Sequence, residues 1–252
     1  MEEVSALFVS ASGNDASGGL TEEAALRTLS AALAAAKAGD IKRILVLGTL
    51  TEESEAASAF PRNPASVFYI TDAGEDEILI TGPGEAQGEL SAEGTGKRVI
   101  TVEGGSRIRF ENIGFSGGTA VSAEKTADGL TGGGLFIHDG ARVTLGRGAR
   151  VVSNTAVFGG GAAVWTGARL VLEDGGLVSE NRTAPFLYMG MPASPSGGGV
   201  YVRNKAEFIM NGGEVSGNAA HYAGGGVDVE DNSTFTMTGG ALRENSAGDC
   251  GG

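Results

Sequence analysis

From Gly132 to the end, the chain repeats one pattern of apolar and polar positions. Gly-Gly-Gly occurs at 132–134, 159–161, 197–199 and 224–226, and Gly251-Gly252 stands where a further triplet would begin. Apolar residues alternate with others after each triplet, as Leu135/Ile137, Ala162/Val164, Val200/Val202 and Val227/Val229. A second alternation follows: Val143/Leu145, Leu170/Leu172, Phe208/Met210 and Phe235/Met237. Val151, Val178, Val215 and Leu242 then precede Asn154, Asn181, Asn218 and Asn245 by three positions. Alternation with period two places one set of side chains on one face of a strand. Each unit of about 27 residues therefore reads as three short strands with a buried face.

Repeated units of this size predict a solenoid whose turns stack at ~4.8 Å, the hydrogen-bonding distance between strands. The expected class is all-β, a right-handed parallel β-helix with three strands per coil. Equivalent residues form columns, and the asparagines become an internal ladder that satisfies the backbone at a bend. The first half is less regular. Leu7 to Gly19 reads as a strand and turn. Thr21–Lys37 reads as a helix with Thr21 as its cap and Glu22 and Glu23 in the first turn. Ile41–Leu47 reads as the next strand. A solenoid end exposes apolar side chains and strand edges, so this helix is expected to cap the core. The chain is read as one domain: strand and cap over 1–50, irregular coils over 51–131, and regular coils over 132–252. It is expected to be part of a longer protein.

The Gly triplets combined with Val178-Ser-Glu-Asn181, Val215-Ser-Gly-Asn218 and Leu242-Arg-Glu-Asn245 resemble the repeats of chlamydial polymorphic outer-membrane proteins and related bacterial surface β-helices. The N-terminal order of strand, Ser-Gly-Asn-Asp turn, helix, Gly-Asp and strand resembles the start of pectin-lyase-like β-helices. The resemblance implies an extracellular or cell-surface location in bacteria, and a fold more than an activity.

Composition narrows the partners. A net charge of −13 argues against nucleic acid or an anionic membrane as a partner of a basic surface. The single cysteine, Cys250, excludes a disulfide framework. The sequence holds no apolar run long enough to insert in a membrane.

Function is sought where the repeat is broken. About eleven extra residues follow Asn181, and Gly118–Thr131 is irregular at the same corner, so together they wall a groove over the post-glycine strands. Two columns point outward there: Phe136, Ala163, Tyr201 and Asp228, then His138, Trp165, Arg203 and Glu230. Phe136, Trp165 and Tyr201 form a zigzag of aromatics suited to sugar rings or a protein partner. Tyr188, Met189 and Met191 of the insertion, and His221 and Tyr222, join them. Alternatively the insertion folds down and buries these rings. The candidate ligand-binding set is thus Phe136, His138, Trp165, Tyr188, Tyr201, Arg203 and Tyr222. For a polysaccharide lyase or glycoside hydrolase the candidates are Asp228, Glu230 and Arg203. Asp228, Glu230 and Asp231 are the weak candidates for Ca²⁺, set against a plain solvated acidic face. No cofactor is expected, and three histidines for zinc are not available. The sequence favours a non-catalytic, adhesin-like surface protein that binds a carbohydrate or a protein of a host or neighbouring cell. A lyase or hydrolase and a passive spacer are the alternatives.

Overall fold

The computed structural model describes residues 5–56, 64–84, 87–121, 127–188 and 191–252. Parallel strands stack in register along the chain, and among the described residues they form four long sheets. Sheet I contains Ser66–Thr71, Arg98–Glu103, Leu135–Ile137, Ala162–Trp165, Val200–Arg203 and Val227–Val229. Sheet II runs from Leu7–Ser10 to Thr234–Met237 and sheet III from Thr49–Leu50 to Ala241–Arg243. Sheet IV is built from two-residue strands, from Thr119–Ala120 to Ser246–Ala247. The chain visits sheets I, II, III and IV in turn and pairs each strand with its counterpart one coil later. The architecture is an all-β solenoid.

The expected register appears residue by residue. Leu135 pairs with Ala162, Ala162 with Val200, and Val200 with Val227. Val143, Leu170, Phe208 and Phe235 form a second column, and Val151, Val178, Val215 and Leu242 a third. The inward side chains make one continuous apolar core as far as Val200, Phe208 and Val215; in the last coil Val227 and Phe235 are partly buried against it and Leu242 is exposed. Two features depart from the expectation. Each regular coil carries a fourth, two-residue ladder, because the residues after each asparagine extend briefly before the glycine turn. The register also reaches back through the irregular half, since Phe68 pairs with Ile100 and Ile100 with Leu135.

The asparagine ladder runs inside the corner after sheet III. Asn154 donates from both its backbone N and Nδ2 to Asn181 Oδ1, each at 3.0 Å. Asn181 does the same to Asn218, and Asn218 to Asn245, at 2.9–3.0 Å. Each Nδ2 also donates to a carbonyl of the sheet III strand one coil back, as Asn181 to Val151 O at 2.9 Å. The residues just before the asparagines, Ser153, Glu180, Gly217 and Glu244, all take a positive φ between 56° and 64°. That left-handed step turns each amide inward.

The glycine triplets allow neighbouring coils to touch. A Cβ on Gly160 would lie 2.4 Å from Arg182 O and 2.5 Å from Gly198 O, both backbone atoms. The triplets themselves exchange hydrogen bonds, such as Gly160 N to Gly197 O at 2.9 Å.

The N-terminal helix is shorter than expected. Helix α1 spans Leu29–Gly39, with Thr28 as its N-cap accepting from Ala31 N at 3.0 Å. Thr21 closes only a local turn onto Ala24 N, so Glu22 and Glu23 lie outside the helix. The carboxylate facing the helix start is Glu55, from the short helix α2 (Glu52–Glu55). Its oxygens accept from Leu29 N and Ser30 Oγ. Tertiary structure supplies the acidic partner that the local sequence was expected to provide. Leu29, Ala32 and Ala36 of α1 join the core beside Leu7, Ile44 and Phe68.

Candidate functional site

Sheet I sends its alternate side chains outward as two columns. The first is Tyr69, Thr101, Phe136, Ala163, Tyr201 and Asp228. The second contains Thr71, Glu103, His138, Trp165, Arg203 and Glu230, with Thr71 paired to Glu103 and Trp165 to Arg203. His138 and Glu230 continue their strands by hydrogen bonds from their backbone N to Val102 O and Val202 O. The columns predicted from the repeat are therefore real, and they extend two coils further toward the N-terminus.

The aromatics of these columns touch one another and form no open zigzag. Phe136 stacks on His138 with centroids 4.4 Å apart and meets Trp165 edge-on at 5.5 Å. Trp165 lies 6.4 Å from Tyr201, which packs on Phe158 at 5.3 Å. Phe136 and Tyr201 are only 4% and 1% exposed, so these two rings are buried, as in the alternative to an aromatic groove. Packing against Phe158, His138 and the Arg98 guanidinium, 4.6 Å from the Phe136 ring centre, covers them. Trp165 remains half-buried, with Arg203 at 5.9 Å from its ring.

Polar groups frame this cluster in the same way at both ends. The Tyr69 hydroxyl donates to Glu103 one coil on, and the Tyr201 hydroxyl donates to Glu230 Oε2 at 2.7 Å, also one coil on. Burial and the adjoining carboxylate push the Tyr69 phenol up to about 12, and burial followed by Glu230 pushes that of Tyr201 up as well. Arg203 Nε lies 2.5 Å from Asp231 and 4.0 Å from Glu230. Burial, then the charge of Glu230, raises the Asp228 carboxyl above its ordinary value. Three buried polar atoms of these columns have no hydrogen-bond partner among the described residues: His138 Nε2, Trp165 Nε1 and Asp228 Oδ2.

The sheet I candidates Phe136, His138, Trp165, Tyr201 and Arg203 thus lie in one contact network, with Asp228, Glu230 and Asp231 beside it. Tyr222 stands elsewhere, 41% exposed on the turn that leads into the glycine triplet at 224–226. His221 also lies there and is tied to the insertion, its Nδ1 2.9 Å from Thr183 O. Leu187–Tyr188 and Met191–Pro192 pair as a small antiparallel ribbon in the insertion. The side-chain environments expected for Tyr188 and Met191, and all of Met189, lie outside the described residues. Sequence reasoning did not find Tyr69, Arg98, Glu103, Asp139 or Phe158. Aligning Ile100-Thr-Val-Glu103-Gly with Leu135-Phe-Ile-His138-Asp would have placed Glu103 under His138. The missing glycine triplet before Ile100 obscured that match.

Comparisons with protein-family models, curated proteins and solved structures give no match. Function must be argued from the site.

Proposed function

We propose that this chain is a right-handed parallel β-helix, with α1 capping one end of its core, that acts outside the bacterial cell as a non-catalytic, adhesin-like binding protein. Its resemblance to chlamydial polymorphic outer-membrane repeats and pectin-lyase-like β-helices supports that class. Carbohydrate or a protein of a host or neighbouring cell binds over sheet I around Trp165. The observation that carries this reading is the pair of unsatisfied atoms on one face, Trp165 Nε1 and Asp228 Oδ2. Buried polar atoms without partners are costly, and a bound group or water relieves them. Around them the face offers what such ligands use: a half-buried indole, a guanidinium and carboxylates. Binding to an array of glycans and surface proteins tests it. Trp165→Ala and Arg203→Ala should each weaken the best ligand at least about tenfold. Unchanged binding in the folded double variant refutes the site.

A second reading has one observation in its favour. The Asp228 carboxyl is raised while Glu230 is held by the Tyr201 hydroxyl, so two neighbouring carboxyls occupy different environments. That separation suits an acid and a base of a polysaccharide lyase or hydrolase, with Arg203 beside them. Turnover of any polysaccharide that Asp228→Asn abolishes would favour it, and a substrate panel without turnover dismisses it.

A further inference from the structure

We infer that Glu103 and His138 form a binding site for a divalent transition-metal ion, Zn²⁺ by preference, with Asp139 orienting the imidazole. Glu103 ends one strand of sheet I and His138 follows the next, because Ile137 pairs with Val102. That register brings His138 Nε2 to 2.8 Å from Glu103 Oε2. Despite this distance, Nε2 is buried and forms no hydrogen bond. From that spacing a small swing of either side chain lets both atoms bind one ion, whose bonds to nitrogen and oxygen are about 2.1 Å.

The rest of the surroundings fits the same role. Asp139 takes a left-handed φ of 51° immediately after His138, and its Oδ2 lies 3.0 Å from His138 Nδ1. A carboxylate at one imidazole nitrogen fixes the tautomer and leaves the lone pair of the other for the metal. The Tyr69 hydroxyl holds Glu103 through Oε1, and Phe136 stacks on the imidazole at 4.4 Å, so both ligands are fixed in place. The Glu103 and His138 side chains are 21% and 16% exposed, so solvent or a partner can complete the coordination. An imidazole ligand selects zinc, cobalt, nickel or copper over calcium and magnesium. The inference is independent of glycan or protein binding around Trp165.

The only tryptophan, Trp165, meets Phe136, which stacks on His138, so it reports on the site. Co²⁺ titrated into the full chain should quench Trp165 fluorescence saturably with one ion bound, and Zn²⁺ should reverse the quenching. Millimolar Ca²⁺ should not compete. His138→Gln and Glu103→Gln should each weaken Co²⁺ at least tenfold, and Asp139→Asn, which tolerates the left-handed backbone, about tenfold. Circular dichroism confirms that each variant is folded, and Tyr69→Phe is a second route to loosening Glu103 if either ligand variant fails to fold. Quenching without saturation at about 1 mM Co²⁺, equal competition by Ca²⁺, or unchanged affinity in folded His138→Gln overturns the site.

Discussion

Replacing Asn181 by alanine should be far more destabilising than the same change at Asn245, although both occupy the same place in the repeat. Asn181 is 1% exposed. Its Oδ1 accepts from Asn154 N and Nδ2, and its Nδ2 donates to Val151 O and Asn218 Oδ1, four hydrogen bonds in all. Alanine leaves the buried Asn154 N–H without that acceptor, at about 1–3 kcal/mol, and forfeits roughly 1 kcal/mol for each further bond. After partial relaxation the sum is about 3–5 kcal/mol. Asn245 is half-buried; its Nδ2 donates to Val215 O at 2.9 Å and its Oδ1 accepts from Asn218 N and Nδ2, three bonds in place of four. Water reaches the half-buried Asn245 itself and can take over part of its role toward Asn218, so its loss should cost about 1–2 kcal/mol. Guanidinium unfolding followed by far-ultraviolet circular dichroism and Trp165 fluorescence measures both. Asn181→Asp distinguishes hydrogen bonding from size: it sets a second carboxylate oxygen against Val151 O and Asn218 Oδ1 and should be worse than alanine at pH 7. If the alanine variants at 181 and 245 differ by less than about 1 kcal/mol, the ladder does not stabilise the fold as argued.

Two other outcomes follow from the same contacts. Gly160→Ala forces a Cβ against two backbone carbonyls and should cost about 3 kcal/mol or more. Gly167→Ala, with φ +69° and open space around it, should cost about 1 kcal/mol of backbone strain; equal melting points for the two would refute the close-packing account. Burial raises the Glu55 carboxyl above its ordinary pKa of 4.5, so the folded state favours the protonated form. Its contribution is complete below pH 4.5 and is lost as pH rises through the higher folded-state value. Glu55→Gln, which cannot ionise, should therefore gain stability relative to the parent between pH 4 and 7. A gap in urea midpoints that stays constant or narrows over that range rejects the reasoning.

The repeat made the register legible because side chains every second residue must face one core, and glycine triplets fix where each coil begins. Phe208, Val215 and Asn218 could be placed from their counterparts one coil away. The sequence said less about the helix, because Thr21-Glu-Glu looks like a helix start on local propensity alone. The real cap, Thr28, and its acidic neighbour Glu55 depend on contacts between distant segments. Exposure on sheet I was illegible for a similar reason. Alternation tells that Phe136 and Tyr201 point outward, but not that Phe158 and Arg98 lie over them. The Glu103–His138 pair needed a register through coils that lack the glycine signature.

Hydrogen bonds between coils point along the solenoid axis, the direction in which a tether would pull. Under tension the load falls on the outermost rung, which peels away before the next is stressed. Asn154 and Asn181, like Asn218 and Asn245, are 27 residues apart, and Asn181 and Asn218 are 37 apart across the insertion, so a peeled coil releases roughly 95 Å of chain, or about 130 Å with the insertion, at about 3.5 Å per residue. Such a molecule yields in steps, coil by coil, and rewinds against a template that its remaining rungs still hold in register.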